Sequence, residues 1–307
     1  MPLPSALNDE DWQLLLERIQ DGKCTPFLGA GVNYNILPTG REIAEEWAKT
    51  YRYPLKDNYD LTRVAQFVAI KHKDAMSPKD KILRLLERKA AEVDLQAKLT
   101  NSDNPLAALA KLPLPIYITT NYDDFMFQAL KFTGKTPCLE LCGWNNFVAK
   151  KHKSVFKGKS RITPTKENPV VFHLHGHKDI PESLVLTEDD YLDFLVEVSK
   201  QQELLPPRIQ EAVSSSSLLF LGYRLADMNF RVLFRGLVNS MPGALRYLSL
   251  AVQLPPDEGS EEEQLSMKAY LDQYFENVKV KVYWGRAEEF VKELSERWEN
   301  FSRITMK

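Results

Sequence analysis

The stretch CTPFLGAG, residues 24–31, joins a short apolar segment to a turn that contains two glycines. A short apolar run bounded by a turn signal is typical of a buried β-strand. Glycine at its exit lets the backbone turn tightly and approach a phosphate group closely. The third glycine of a G-x-G-x-x-G dinucleotide fingerprint would fall on Tyr34, so the fingerprint is incomplete and a plain strand-exit turn remains an alternative.

Five further apolar segments alternate with segments of helical periodicity along the chain. They are LPIYITT (114–120), NPVVFHLHG (168–176), SSLLFLGY (216–223), RYLSLAVQL (246–254) and VKVKVYWG (278–285). Alternation of strands and helices is the pattern of a parallel sheet covered by helices. The sequence therefore predicts an α/β, Rossmann-like fold with a mainly parallel six-stranded sheet and helices on both faces.

Two segments between the predicted strands are longer than a simple connection requires. Residues 40–111 are mostly helical in pattern, whereas a plain crossover needs only about a dozen residues, so we predict an inserted helical module there. Residues 146–166 lack periodicity, and KKHKSVFKGKSR (150–161) carries six Lys or Arg and no acid, which predicts a flexible basic insertion. We assign residues 1–307 to a single domain.

Composition favours a globular protein that functions in the cytoplasm. The formal net charge of -2 gives no reason to expect direct contact with nucleic acid or with an acidic membrane surface. We find neither a signal-peptide pattern nor an apolar run near the ~20 residues of a membrane span. The three cysteines lack the spacing of a disulfide framework, which suits a reducing compartment.

Polar and glycine-rich residues follow four of the predicted strands. They are GAG (29–31), TNYDD (120–124), HGH (175–177) and GY (222–223). Because parallel strands end at one edge of a sheet, where ligands bind, these residues should lie together. Asn121 can donate and accept hydrogen bonds at once, which suits the orientation of a water and a sugar hydroxyl. An Asx turn that caps the next helix is the structural alternative for this segment.

Three of the five histidines lie within HLHGH, residues 173–177. On a continuous strand His173, His175 and His177 would share one face, as the ligands of a metal-dependent hydrolase could. The two other histidines are flanked by lysines, and Gly176 is expected to end the strand, so we expect no metal. A histidine can instead act as a general base, because its ordinary pKa is near 6.5.

Taken in order, five motifs resemble those of the sirtuin-like superfamily. They are GAGV (29–32), LPTGR (37–41), TNYD (120–123), LHG (174–176) and FLGYRLAD (220–227). Further segments resemble a bacterial branch, the sirtuin-like NADases of phage defence, and extend the resemblance over nearly the whole chain. These are DLTRVAQFVA (60–69), ESLVLTEDDYLDF (182–194), DMNFRVLFRGLV (227–238) and YFENVKVKVYWGRAEEF (274–290).

The resemblance implies a set of site residues. Asn121 would hold the nicotinamide ribose and position water, Asp123 would orient ribose or nicotinamide, and His175 would be the base. The residues implied in binding NAD+ are Gly29, Ala30, Gly31, Val32, Arg41, Thr120, Gly222 and Tyr223. Deacylases of the superfamily carry a four-cysteine zinc module, whereas this chain has three cysteines, so deacylation is the less favoured activity.

The resemblance implies an NAD+ glycohydrolase that releases nicotinamide and ADP-ribose, as an antiphage effector that depletes NAD+. NAD+ is then a substrate, and no metal is required. Uncontrolled hydrolysis would harm the host, so we expect control by assembly, as a homo-oligomer or with a HerA-type ring ATPase. A non-catalytic module that senses NAD+ or a related nucleotide is the principal alternative. A metal-dependent hydrolase built on His173, His175 and His177 ranks below it.

Overall fold

A computed structural model describes residues 7–159, 161–200, 204–225, 227, 230–232, 234–236, 247–256 and 259–305. Its centre is a sheet of seven strands in the order β3-β4-β2-β1-β5-β6-β7, with every neighbouring pair parallel. The strands are β1 (Cys24–Leu28), β2 (Ile116–Thr119), β3 (Cys138–Leu141), β4 (Val170–His173), β5 (Ser217–Leu221), β6 (Ser249–Gln253) and β7 (Val280–Trp284).

The predicted parallel α/β architecture is confirmed, but the predicted count of six strands is one too few. The additional strand is β3, at one edge of the sheet. Its four residues, CLEL, include the acidic residue Glu140, whose side chain is buried. A charged residue in so short a segment interrupts the apolar run by which a buried strand is recognised.

Twelve α-helices accompany the strands in the described ranges, together with two short 3-10 helices, Ala30–Asn33 and Pro181–Ser183. The α-helices are α1 (Asp9–Gln20), α2 (Gly40–Tyr51), α3 (Leu61–His72), α4 (Ser77–Ala91), α5 (Leu95–Thr100), α6 (Pro105–Lys111), α7 (Phe125–Phe132), α8 (Asn146–Lys151), α9 (Glu188–Lys200), α10 (Pro207–Ser215), α11 (Glu261–Glu276) and α12 (Ala287–Thr305). Residues 230–232 and 234–236, within the segment NFRVLFRGLV (229–238) whose apolar pattern predicts a helix, are also helical, and the rest of that segment lies outside the described residues.

Two apolar cores cover the two faces of the sheet. Consecutive strand residues point to opposite faces, so Leu28 belongs to one core and Phe27 to the other. The first core includes side chains from α1, α6, α7 and α12, and the second includes side chains from α9, α10 and α11. Helices therefore pack on both faces, as predicted from the alternation of elements.

A third core forms where α2, α3 and α4 pack together within the predicted helical insertion. It is completed by Leu184 and Leu186, which precede α9. Polar contacts extend this junction: Lys79 Nζ lies 2.8 Å from Asp190 Oδ1, and Gln66 Nε2 donates to Asp189 Oδ2 at 2.7 Å. The helical segment is thereby docked on the N-terminal turn of α9. None of the described helices combines the length and apolar character needed to span a bilayer.

Glu140 anchors the segment for which we predicted a flexible basic insertion. Its carboxylate accepts hydrogen bonds from His152 Nε2, Ser154 Oγ and the main-chain N–H of Val155, each at 2.8 Å. Residues 146–151 within this segment form α8, with the Asn145 side chain as its cap. His152, one of the two histidines flanked by lysines in the sequence, is therefore not a freely solvated side chain, because its ring is bonded to a buried carboxylate.

Candidate functional site

Close contact between two glycine turns forms the floor of the candidate site. The N–H of Gly31 donates to the carbonyl oxygen of Gly222 at 3.0 Å, and Gly29 N–H donates to Leu221 at 2.9 Å. Gly222 has a φ of +77°, and a Cβ there would lie 2.5 Å from the nitrogen of Val32. A Cβ on Gly29 would lie 2.7 Å from the Gly222 oxygen. Glycine is therefore required for the turns after β1 and β5 to meet.

Tyr223 ties three strand ends together beside this floor. Its hydroxyl donates to the carbonyl oxygen of Leu28 at 3.0 Å and lies 3.0 Å from Thr120 Oγ1. Burial raises the pKa of Tyr223 well above its usual range, so the hydroxyl stays protonated. Ala30 is exposed and Val32 is buried within the adjoining 3-10 helix. The structure thus brings together the predicted residues that follow β1, β2 and β5.

Asn121 is held by three hydrogen bonds from different directions. Its N–H donates to Thr119 Oγ1 at 3.0 Å, and its Nδ2 donates to the carbonyl oxygen of Gly29 at 3.1 Å. Its own carbonyl oxygen lies 3.1 Å from His173 Nδ1. Among the described residues nothing donates to the side-chain Oδ1, so this oxygen remains able to accept a hydrogen bond from a ligand.

Asp123 lies against the 3-10 helix and two residues before the start of α7. Its Oδ2 accepts a hydrogen bond from Asn33 Nδ2 at 2.8 Å, and its Oδ1 accepts one from Phe125 N–H at 3.0 Å. The second bond is the Asx turn that the sequence left open as an alternative. Burial raises the pKa of Asp123 to about 6, since desolvation disfavours the charged carboxylate. A small cavity of about 40 Å³ lies beside this carboxyl group, Tyr122 and Lys178.

His175 is covered by aromatic side chains of α9. Its ring centroid is 4.9 Å from that of Phe194 and 6.0 Å from that of Tyr191, with both rings nearly perpendicular to it. Its Nε2 is buried and has no hydrogen-bond partner among the described residues. Burial lowers the pKa of His175 to about 3, so the imidazole is neutral at physiological pH. The ring is in the protonation state of a base, and its Nε2 is shielded in this conformation although the residue as a whole is only half-buried.

His173 and His177 do not join His175 on one strand face. β4 ends at His173, and Gly176 has a φ of +92°, so the strand alternation stops before it reaches His177. The rings of His173 and His177 are both buried and meet edge to face, with centroids 4.7 Å apart. Over the described part of the chain, no three His, Cys, Asp or Glu side chains are grouped as a metal site.

Arg41 lies near the start of α2, on the exposed side of the helical segment. Its Nε is 3.1 Å from Glu45 Oε1, and its guanidinium lies 5.6 Å from the ring centroid of Tyr59. A binding role for Arg41 stays a prediction.

Several side chains at the site were not singled out from the sequence. Asn33 orients Asp123, and Phe194 covers His175. Tyr122 donates its hydroxyl hydrogen to the Val185 carbonyl oxygen at 2.7 Å, so it joins the TNYD turn to the segment before α9. Tyr122 and Phe194 lie inside quoted segments and Asn33 directly follows GAGV, but their contacts are with residues distant in sequence, 90 residues away for Asn33 and 63 for Tyr122.

Comparison with known proteins relates the chain to one family and to several named enzymes. The sequence profile of a family described as "SIR2-like domain" matches residues 115–281, more than half of the chain. A protein named NAD(+) hydrolase ThsA from Acinetobacter baumannii (strain 532279) is 24% identical over 221 residues. Proteins of the same name from Enterococcus faecium and Bacillus cereus (strain MSX-D12) are 24% and 23% identical over 216 and 214 residues.

These alignments cover much of this chain but a smaller part of each relative. They include 70%, 69% and 69% of this chain, in the order given, and 39% of each of the three relatives. The chain thus matches about two fifths of the length of these relatives.

Proposed function

Because the chain belongs to the family of SIR2-like domain proteins, we propose that it hydrolyses NAD+ at the nicotinamide–ribose bond, giving nicotinamide and ADP-ribose. The observation that carries this proposal is the convergence of Asn121, the Gly29 turn and the Gly222 turn at one sheet edge. Relatives named as NAD(+) hydrolases at 23–24% identity support the same activity. A parallel sheet binds ligands at this edge.

The proposed roles follow from what each group can do. Gly29 and Gly31 pack against the Gly222 turn, and the exposed Ala30 between them carries only a methyl group, so a pyrophosphate could approach the main chain there. Asn121 Oδ1 would accept a hydrogen bond from a ribose hydroxyl or from water, while its Nδ2 stays bonded to Gly29. The ribose and adenosine of NAD+ would be supported by Val32, Thr120 and Tyr223. Arg41 would contact the ligand at the edge of the site.

Bond cleavage develops positive charge on the ribose, as it does in glycoside hydrolysis. Nicotinamide carries a positive charge before cleavage and leaves as a neutral molecule, so its departure needs no strong acid. An ionised Asp123 would stabilise or orient the developing cation, and His175 would accept a proton from the attacking water or a ribose hydroxyl. These steps use neutral His175 and ionised Asp123, and they require the two groups to face the substrate.

The cover over His175 implies that α9 shifts when the site is used. A base with a pKa of about 3 accepts a proton weakly, because the best catalytic pKa lies near the working pH. Separation of Phe194 and Tyr191 from the ring would let solvent and substrate reach Nε2. The same change would remove the burial that depresses the pKa, and so would make His175 a better base.

The first experiment measures nicotinamide released from NAD+ by the wild-type chain, Asn121→Ala and His175→Ala. We expect each variant to lose about 100-fold or more of the rate, the magnitude typical of a lost acid–base or positioning group. Asn168→Ala, just before the start of β4, and His72→Ala, at the end of α3, are matched controls with exposed side chains away from the carboxyl ends of the strands, and should keep their activity. Full activity of either site variant would contradict its role.

The principal alternative is a module that binds NAD+ without turnover. Calorimetry distinguishes the two: tight binding with no nicotinamide, either for the chain alone or with candidate partners, would favour the alternative. Stoichiometric metal in an active preparation, lost together with activity on chelation, would instead favour a metal-dependent hydrolase.

We further propose that the activity serves cytoplasmic antiphage defence through NAD+ depletion and is controlled by assembly. Continuous hydrolysis would harm the host, since NAD+ is a shared metabolite, and this supports the need to control the activity. Assembly into a homo-oligomer or with a HerA-type ring ATPase would supply that control. Light scattering together with the nicotinamide assay, with and without such an ATPase, tests this. A fully active monomer would contradict it.

A further inference from the structure

Asn121 depends on a side chain from the neighbouring strand for its position. The Asn121 carbonyl oxygen lies 3.1 Å from Nδ1 of His173, the last residue of β4. His173 is 1% exposed, so water does not replace this partner. The other two bonds to Asn121 come from β2 and the β1 turn, so His173 supplies the only one from the β4 side among the described residues.

The chemistry of the contact fixes where the proton of His173 lies. A carbonyl oxygen can only accept, so His173 Nδ1 must carry the hydrogen. Burial and the nearby His177 lower the pKa of His173 to about 3, so the ring is neutral and Nε2 has no proton. Nε2 is buried and without a hydrogen-bond partner in the described residues, and the main chains of Asn121 and Gly176 only partly offset the effect of burial on the pKa of His173.

We propose that His173 is a positioning residue for Asn121, which it fixes by donating its Nδ1 hydrogen to the Asn121 main-chain oxygen. The inference deepens the proposed NAD+ hydrolase function and rests on it. His173 itself does not contact the reacting atoms in this scheme. It acts by keeping Asn121 Oδ1 aimed at the ribose or the water, while Nδ2 remains bonded to Gly29.

The effect should appear in kcat more than in KM. The pyrophosphate and adenosine parts of NAD+ would still be held at the Gly29 and Gly222 turns. Among the described residues His173 makes no hydrogen bond to these turns. A displacement of about 1 Å in a reacting group can cost on the order of 100-fold in rate. We therefore expect His173→Leu to lower kcat by about 30- to 100-fold and to change KM less than about threefold.

A conservative variant separates positioning from packing. In His173→Asn the side-chain Nδ2 occupies the place of the imidazole Nδ1 and can donate to the same oxygen. We expect this variant to recover kcat to within about threefold of the wild type, despite its smaller side chain. His177→Leu is the matched control, because it also removes a buried imidazole but has no hydrogen bond to Asn121.

The test therefore measures kcat, KM and melting temperature for wild type, His173→Leu, His173→Asn and His177→Leu. A folded His173→Leu with kcat within twofold of the wild type would overturn the proposal. So would a folded His173→Asn that is as slow as His173→Leu, because the restored donor would then have no effect. A loss in His177→Leu equal to that in His173→Leu would assign the effect to packing and would also overturn it.

A second measurement does not depend on turnover. In ¹⁵N-histidine spectra of the full chain, His173 should show a protonated Nδ1 and a bare Nε2. A ring protonated on Nε2 instead would overturn the proposal even if no variant folds. The wild type could release no nicotinamide and still show His173 protonated on Nδ1. That result would contradict the proposed hydrolysis but would support the hydrogen bond from His173 to Asn121. The two failures are therefore distinguishable.

Discussion

The ring of Phe194 stands edge-on against the ring of His175, with centroids 4.9 Å apart and planes at 78°. Phe194 belongs to α9, whose first turn is docked on the helical segment through Lys79 and Asp190. Lys79 is buried, so its ion pair is poorly screened by solvent. Because both contacts are made by α9, we expect its attachment to influence access to His175.

Lys79→Met should loosen α9 and raise basal nicotinamide release. The substitution keeps the apolar stem and removes the partner of Asp190. If the closed state lies lower in free energy, weakening its attachment by about 1 kcal/mol raises the open population about fivefold. We expect a similar rise in kcat, together with faster hydrogen exchange over residues 188–200. Lys89→Met on the same helix, with its exposed pair to Glu92, is the control.

Faster exchange in α9 without any gain in nicotinamide release would show that α9 does not limit access to His175. Unchanged exchange would show that Lys79 does not hold α9.

Asp123 should set the acid limb of the activity. Its pKa of about 6 means that lowering the pH below 6 protonates the carboxyl group, and the charge proposed to face the ribose is lost. The rate should then fall about tenfold for each further pH unit. Asp123→Asn should be slow at every pH and should show no limb near pH 6. A limb that persists in this variant would identify a different titrating group.

The raised pKa of Asp123 also predicts how the free energy of unfolding depends on pH. The folded-state pKa of Asp123 is raised above its ordinary value of about 3.9, so the native state binds the proton more tightly. The resulting stability is fully present below pH 4 and is lost as the pH rises through 6. Compared with Asp123→Asn, the wild type should lose about 2 kcal/mol of unfolding free energy over this window. Urea denaturation at pH 4 and pH 7 measures the difference.

Gly222→Ala should be far more damaging than Gly134→Ala. Both glycines have positive φ, +77° and +81°, so both substitutions carry the backbone strain of an L-residue there. Only at Gly222 would the new Cβ meet neighbouring backbone, because nothing lies within 4 Å at Gly134. We expect a loss of about 1 kcal/mol for Gly134→Ala and about 3 kcal/mol or more for Gly222→Ala. Equal losses in denaturant would contradict a close turn contact.

Glu140→Gln should release the basic segment from the sheet edge. The carboxylate accepts from three donors, and an amide would turn its NH2 group towards one of them. We expect a loss of about 2 kcal/mol and faster trypsin cleavage after Lys153 and Lys157. Glu167→Gln, at an exposed position, should change neither property. Unaltered cleavage in Glu140→Gln would mean that other contacts hold the segment.

The sequence predicted the parallel sheet and the gathering of GAG, TNYD and GY because a physical rule connects strand ends to one edge. It did not predict β3, whose short apolar pattern is interrupted by Glu140, or the cover of His175 by Phe194. It also did not predict the hydrogen bond between His173 and Asn121. Such contacts depend on the packing of distant segments, which local periodicity does not encode.

The contact between the β1 and β5 turns has a consequence during synthesis on the ribosome. Tyr223 bonds to Leu28 across 195 residues of sequence, so this part of the site is a late product of folding. When Asn121 and His175 have emerged from the ribosome but Gly222 has not, the growing chain lacks the Gly222 turn. The floor of the candidate site is then incomplete. On the proposed hydrolysis, an unfinished polypeptide would therefore not cleave NAD+ in the cell that makes it.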